Sequence, residues 1–165
     1  MTRGGRSSIF FEIYALGQAV RHYIDEAMAG APLTPEEYAY YSVIFEDERT
    51  TPTEIARRLS IPKTTVMEYV RLMETRGHAR RLPHASDGRS YELVLSASGL
   101  AAHRRSNTFF EQAYAGFIAQ LHGDEARVMR GLSDLRDAVK AANDRDRAAA
   151  SRSGEAQRRR GQRVE

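Results

Sequence analysis

Within nine residues, from Lys63 to Arg71, the chain places a lysine, the threonines Thr64 and Thr65, Met67, Glu68 and an arginine, and further on Asp87-Gly88-Arg89 stands among polar residues. Nothing in these side chains breaks or makes a covalent bond. They are suited to holding a polyanion: cations and hydroxyls meet phosphate oxygens, while hydroxyl, carboxylate and guanidinium groups can read base edges. Arg57, Arg80 and Arg81 lie close by in sequence and are further candidates for phosphate contact.

Other chemistries lack their parts. The chain has no cysteine, which removes disulfides, thiolate metal sites and thiol-based redox sensing. His22, His78, His84, His103 and His122 are scattered, with no pair at the i, i+4 spacing of helical metal ligands. There is no phosphate-binding glycine loop, no zinc-binding histidine-glutamate helix motif and no nucleophile elbow. We therefore expect no catalytic residues, no metal and no cofactor. Glu12 interrupts the apolar start, leaving no run fit for a signal peptide or membrane span, so the expected location is the cytoplasm, away from membranes.

The formal net charge of +3 conceals an uneven distribution. From Phe10 to Ala56 nine acidic residues stand against two arginines, whereas from Arg57 to Arg105 ten basic residues stand against four acidic ones. A basic stretch inside an otherwise balanced chain is the footprint expected of phosphate contacts, since neutralising phosphates releases counterions. A solvated charged face has the same composition. A second basic excess, five arginines against two glutamates, follows Ala148.

The elements that must position these residues follow from periodicity. Ile9, Phe10, Ile13, Leu16, Val20, Tyr23, Ile24 and Ala27 recur at helical spacing and stop before Gly30. Thr34-Pro35-Glu36-Glu37 supplies a cap, a proline at the first helical position and a glutamate at the third, opening a helix with Tyr38, Tyr41 and Phe45 on its apolar face. Thr51-Pro52-Thr53-Glu54 repeats the device for a short helix burying Ile55, Ala56 and Leu59, with Arg57 and Arg58 outward. After the turn Ser60-Ile61-Pro62, a helix buries Val66, Tyr69, Val70 and Met73 and leaves Thr64, Glu68, Arg71 and Thr75 opposite, until Gly77 ends it. Two strands follow, Ala79 to Leu82 and the alternating Tyr91, Leu93 and Leu95, around the polar tip His84 to Gly88. Ser96 caps a helix reaching Leu121, and a last helix carries Val128, Leu132, Leu135 and Val139. Beyond Arg147 apolar periodicity ceases, and a disordered basic tail over 148–165 is expected.

Helix, turn, helix and hairpin, on a basic stretch, is the layout of a winged helix-turn-helix. The expected architecture is mainly α, with a winged domain over 33–99 and dimerisation helices over 1–32 and 100–147. The sequence also resembles the MarR family of bacterial regulators over about Leu33 to Arg105. The resemblance rests on Leu33-Thr34, Glu54-Ile55-Ala56-Arg57-Arg58-Leu59, Lys63-Thr64-Thr65-Val66, Glu74-Thr75-Arg76-Gly77, Asp87-Gly88-Arg89 and Leu95-Ser96-Ala97-Ser98-Gly99, in that order.

The resemblance implies a dimeric repressor with no enzymatic activity, reading palindromic double-stranded DNA with half-sites about 34 Å apart. It assigns Lys63, Thr64 and Thr65 to groove and phosphate contacts, and Asp87 and Arg89 to a wing in which the carboxylate orients the guanidinium into the minor groove. Met67 and Glu68 depart from the family pattern. Glu68 either accepts from cytosine N4 or pairs on the surface with Arg71 or Arg57. Family members are often released by a small aromatic or phenolic ligand, for which Tyr14, Arg21, His22, Tyr38 and Tyr41 are candidates; tyrosines at helical spacing also serve simply as core. The rival reading is a winged domain used for protein interaction or nonspecific DNA binding, which the basic tail would also suit.

Overall fold

The structure, a computed structural model, describes residues 8–83 and 91–161, with side chains described through Arg147. Its elements run α1 (Ile9–Ala27), α2 (Pro35–Asp47), α3 (Pro52–Leu59), α4 (Lys63–Thr75), β1 (Ala79–Pro83), β2 (Tyr91–Leu95), α5 (Ala97–Gln120) and α6 (Glu125–Gly161). Packing separates two compact units, Met1–Gly116 and Phe117–Glu165.

Local chemistry sets the element starts in the first unit. The Thr34 side chain accepts from the Glu37 backbone N–H while the Glu37 carboxylate accepts from the Thr34 N–H, a reciprocal cap on α2. Thr51 caps α3 through the Glu54 N–H. At the far end of α4, Gly77 takes φ +65°, and the His78 and Gly77 N–H groups donate back to the Met73 and Glu74 carbonyls, closing the helix. Gly99 is needed for a different reason: a Cβ there would lie 2.1 Å from the His78 carbonyl oxygen.

β1 and β2 pair antiparallel with Ala79 opposite Leu95 and Pro83 opposite Tyr91, one residue longer than the first strand read from the sequence. Thr50 adds a bridge to Leu93, exchanging both backbone hydrogen bonds at 3.2 and 2.7 Å. This pairing lies beyond sequence periodicity, because one bridging residue has no pattern. It fixes the sheet to the start of α3, and Arg49 supports it with an ion pair to Glu92 at 3.8 Å.

The core gathers Leu33, Tyr41, Ile44, Ile55, Val66, Val70, Met73 and Leu93, with Met28, Tyr38, Tyr40, Val43, Ala79 and Ala102 around them. Fully burying one such aliphatic side chain contributes about 1.5–3 kcal/mol. Tyr40, Val43 and Ile44 are as buried as the tyrosines expected on α2, whereas Phe45 is 42% exposed and stacks on His103 with centroids 4.5 Å apart. Helix α2 is covered on more than one face, so a single stripe understates its burial.

In the second unit, α6 continues through Gly161, which corrects the disordered tail expected from Ala148 onward. The reason is intrinsic propensity. Alanine, arginine, glutamine and glutamate all favour helix and no proline interrupts them, whereas apolar periodicity reports packing and is silent about an unpacked helix. The expected polar hairpin tip, including Asp87 and Arg89, lies outside the described residues.

Candidate nucleic-acid interface

Helices α3 and α4 meet at a tight turn. Ser60 adopts the left-handed conformation (φ 56°, ψ 39°), and the Ile61 N–H returns to the Ala56 carbonyl at 3.0 Å. Pro62 then occupies the N-cap of α4 and, unlike Thr34 and Thr51, supplies no side-chain acceptor. The first N–H groups of α4 therefore keep free donor capacity at the positive end of the helix dipole, next to Lys63.

Helix α4 is firmly seated. Val66, Val70 and Met73 are buried, while Lys63, Thr64, Glu68 and Arg71 are exposed and Thr65 and Met67 half-buried. Met67 is held against the hairpin, its sulfur accepting from the Tyr91 hydroxyl at 3.3 Å. At the C-terminal end Arg76 donates to the buried Glu37 carboxylate at 2.7 Å, tying the end of α4 to the start of α2. The Tyr41 hydroxyl meets His78 Nδ1 at 2.9 Å beside this pair.

The arginines expected to meet phosphate divide into two kinds. Lys63, Arg71 and Arg80 have no ion pair among the described residues. Arg57 is paired with Glu54, whose carboxyl this partner holds below its ordinary range. Arg81 forms a two-pronged pair with Glu74 at 2.7 and 2.8 Å and lies 4.4 Å over the Tyr91 ring, which keeps its guanidinium more firmly charged. To contact a phosphate, Arg57 and Arg81 must exchange partners. Arg58 is also committed, bridging to Glu46 and Asp47 at 2.5 and 2.9 Å and thereby linking α3 to the end of α2.

Among the described residues Glu68 has no ion pair with Arg71 or Arg57, the surface alternative read from the sequence, and Arg57 is paired with Glu54. Glu68 lines an open groove of about 950 Å³ bounded by α1 (Val20, Arg21, Ile24, Asp25), the first turns of α2, the end of α3 and the turn after it (Leu59, Ile61) and α4 (Glu68, Tyr69, Leu72). Of the five ligand candidates read from the sequence, only Arg21 reaches this groove. Tyr38 and Tyr41 belong to the core: the Tyr38 hydroxyl donates to the Asn107 side-chain oxygen at 2.5 Å, and its ring stacks on His103 at 5.1 Å. Burial raises both phenols above their ordinary value. Tyr14 and His22 are exposed and pair within α1, with Gln18 and Glu26. These five residues therefore do not form one site.

Residues 41–90 match the model of the MarR family. Over that stretch the chain is similar to the MarR family. Among curated relatives it is similar to the HTH-type transcriptional repressor YetL of Bacillus subtilis, 24% identical over 79% of this chain and 72% of that one. It is also similar to the repressor Rv2887 of Mycobacterium tuberculosis, 25% identical over 73% of this chain and 86% of that one. In fold, this chain is similar to M. tuberculosis MosR in complex with DNA, with a TM-score of 0.71 at 24% identity over 82% of this chain and 98% of that one. The Staphylococcus aureus MepR–DNA complex gives 0.70 at 17% identity over 82% and 99%.

Ser96, read from the sequence as the cap of α5, also ties that helix to the end of α4 in the winged helix. Ser96 donates to the Gly77 carbonyl at 2.6 Å and accepts from the Gly99 N–H, and Ser98 donates to the same carbonyl at 2.9 Å, binding the start of α5 to the end of α4. The sequence shows Glu37 only as a capping glutamate and Arg76 only within Glu74-Thr75-Arg76-Gly77, because the pair spans 39 positions. Among the described residues, no group of three or more His, Asp or Glu is placed to hold a metal, and no helix is long and apolar enough to cross a membrane.

Proposed function

We propose that this chain is a homodimeric, sequence-specific repressor of transcription of the MarR type that binds palindromic double-stranded DNA in the cytoplasm of a bacterium, has no catalytic activity, and is released by a small ligand. The outward face of α4 carries this reading. Lys63, Thr64 and Arg71 project from a helix whose other side is locked into the core, and its first turn keeps backbone donors for a phosphate. In this reading α4 enters the major groove, with Thr64, Thr65 and Glu68 at base edges and Lys63, Arg71 and Arg80 at phosphates. Arg89, oriented by Asp87, enters the adjacent minor groove. The second copy is supported by α1, which buries no residue while exposing Phe10, Phe11, Tyr14 and Leu16.

Selection of binders from a pool of random duplexes at physiological salt tests the reading. Enrichment of a palindrome with half-sites about one helical turn apart is the expected result. Retention without enrichment, collapsing as salt rises, would replace it with nonspecific binding, and no retention would replace it with a protein-interaction module.

A further inference from the structure

The hairpin and α4 meet through four side chains. Met67 and Glu74 stand seven positions apart on α4, two turns along one face. Arg81 of β1 and Tyr91 of β2 lie diagonally across the sheet, since Arg81 is opposite Leu93 and Pro83 opposite Tyr91, so both project on the same side of it. There they close a circuit. Glu74 accepts from Arg81 Nε and Nη2 at 2.7 and 2.8 Å, the guanidinium lies 4.4 Å over the Tyr91 ring, and the Tyr91 hydroxyl donates to the Met67 sulfur at 3.3 Å.

A two-stranded hairpin has little stability of its own, so its direction has to be supplied by neighbours. The Thr50 bridge holds β2 at Leu93, and Ser96 ties the end of that strand to the His78 and Gly77 carbonyls. The Arg49 to Glu92 pair, at 3.8 Å and with an exposed arginine, adds little. None of these reaches Pro83 and Tyr91, the last described pair before the strands connect. At that end the circuit joins both strands to α4. Arg80, opposite Val94, projects on the other side of the sheet and is exposed.

We propose that Glu74, Arg81, Tyr91 and Met67 are positioning residues, a clamp that fixes the hairpin against α4 so that helix and hairpin meet DNA in one register. The inference rests on the DNA-binding reading above. It moves Arg81 and Met67 from groups that touch DNA to groups that aim others, and it gives Glu74 and Tyr91 a role that reading leaves open. A carboxylate near DNA repels phosphate, so its removal ordinarily tightens binding to any duplex. A clamp reverses this for the chosen sequence alone, because base contacts need register and nonspecific phosphate contacts do not.

Fluorescence anisotropy of the full chain at fixed salt, on the selected palindrome and on a random duplex of equal length, tests this with Glu74→Gln and Arg81→Lys. The first removes the ionic partner; the second keeps the charge but loses the two-pronged pair and the planar stack. Each should lower the ratio of the two affinities by about threefold or more, as expected on losing a partly exposed ion pair. Affinity of Glu74→Gln for the random duplex should be unchanged or raised. A ratio unmoved by either substitution would overturn the proposal and return Arg81 to ordinary phosphate contact. Circular dichroism identifies a variant that fails to fold, in which case the other decides. A palindrome enriched by the parent chain together with an unmoved ratio removes the clamp alone, whereas no enrichment by the parent chain removes the DNA-binding reading and the clamp with it.

Discussion

Helices α1 and α2 both carry apolar residues every three or four positions, and the folded chain treats them in opposite ways. α2 buries Tyr38, Tyr40, Tyr41, Val43 and Ile44, whereas α1 buries nothing and leaves Phe10 73% and Tyr14 66% exposed. Periodicity thus defines a face without saying what covers it. For α2 the cover is α3, α4, α5 and the small sheet of the same chain; for α1 it is the second copy of the proposed homodimer. The residues of α2 should therefore govern folding of the chain, and those of α1 its association.

The largest expected effect is on the sealed side. Ile44 is 1% exposed, and Ile44→Ala should lower unfolding stability by about 2–5 kcal/mol in a denaturant titration. A loss below about 1 kcal/mol would mean that α2 is not the covered helix described here. Next comes the open side. Phe10→Glu should weaken self-association at least tenfold in sedimentation equilibrium, about 1.4 kcal/mol, while leaving the circular dichroism of the helices intact. An unchanged dimer would assign the α1 face to some other partner.

A third test uses acid. His103 is buried between Tyr38 and Phe45, its Nε2 meets Ser42 Oγ at 3.1 Å, and its Nδ1 has no hydrogen-bond partner among the described residues; burial holds it below its ordinary pKa. Between the lower folded and higher unfolded pKa only the unfolded chain takes up the proton. Stability should therefore fall as pH drops below about 6.5, and His103→Phe should flatten that part of the profile. A slope unchanged by the substitution would locate the acid sensitivity elsewhere. The smallest effect is at the turn. Ser60→Gly should raise stability by about 0.5 kcal/mol, because it relieves a left-handed conformation costing about 1 kcal/mol while adding freedom to the unfolded chain. A loss on thermal denaturation would show that the Ser60 side chain contributes more than its backbone costs.

What could be read in advance was local. Thr34, Thr51 and Gly77 mark helix ends because the atoms they satisfy lie within a few residues, and Val66, Val70 and Met73 announce the buried side of α4 by spacing alone. What could not be read depends on distant partners. The Thr50 to Leu93 bridge, the Glu37 to Arg76 pair and the groove joining α1, α2 and α4 exist only after the chain has folded. Glu68 illustrates the difference: its exposure follows from its position on the helix, but its place in the groove is set by α1, more than forty positions away.

The bare first turn of α4 has a practical consequence. Since Pro62 offers no acceptor, the amide protons of Thr64 and Thr65 should trade rapidly with solvent deuterium in the free chain, while those of Val70 and Met73, inside the same helix, are retained far longer. A bound phosphate would slow the first pair and leave the second nearly unchanged. The helix thus holds two clocks, one reporting occupancy and the other integrity, and a single exchange time course can tell a vacant reading head from a damaged one.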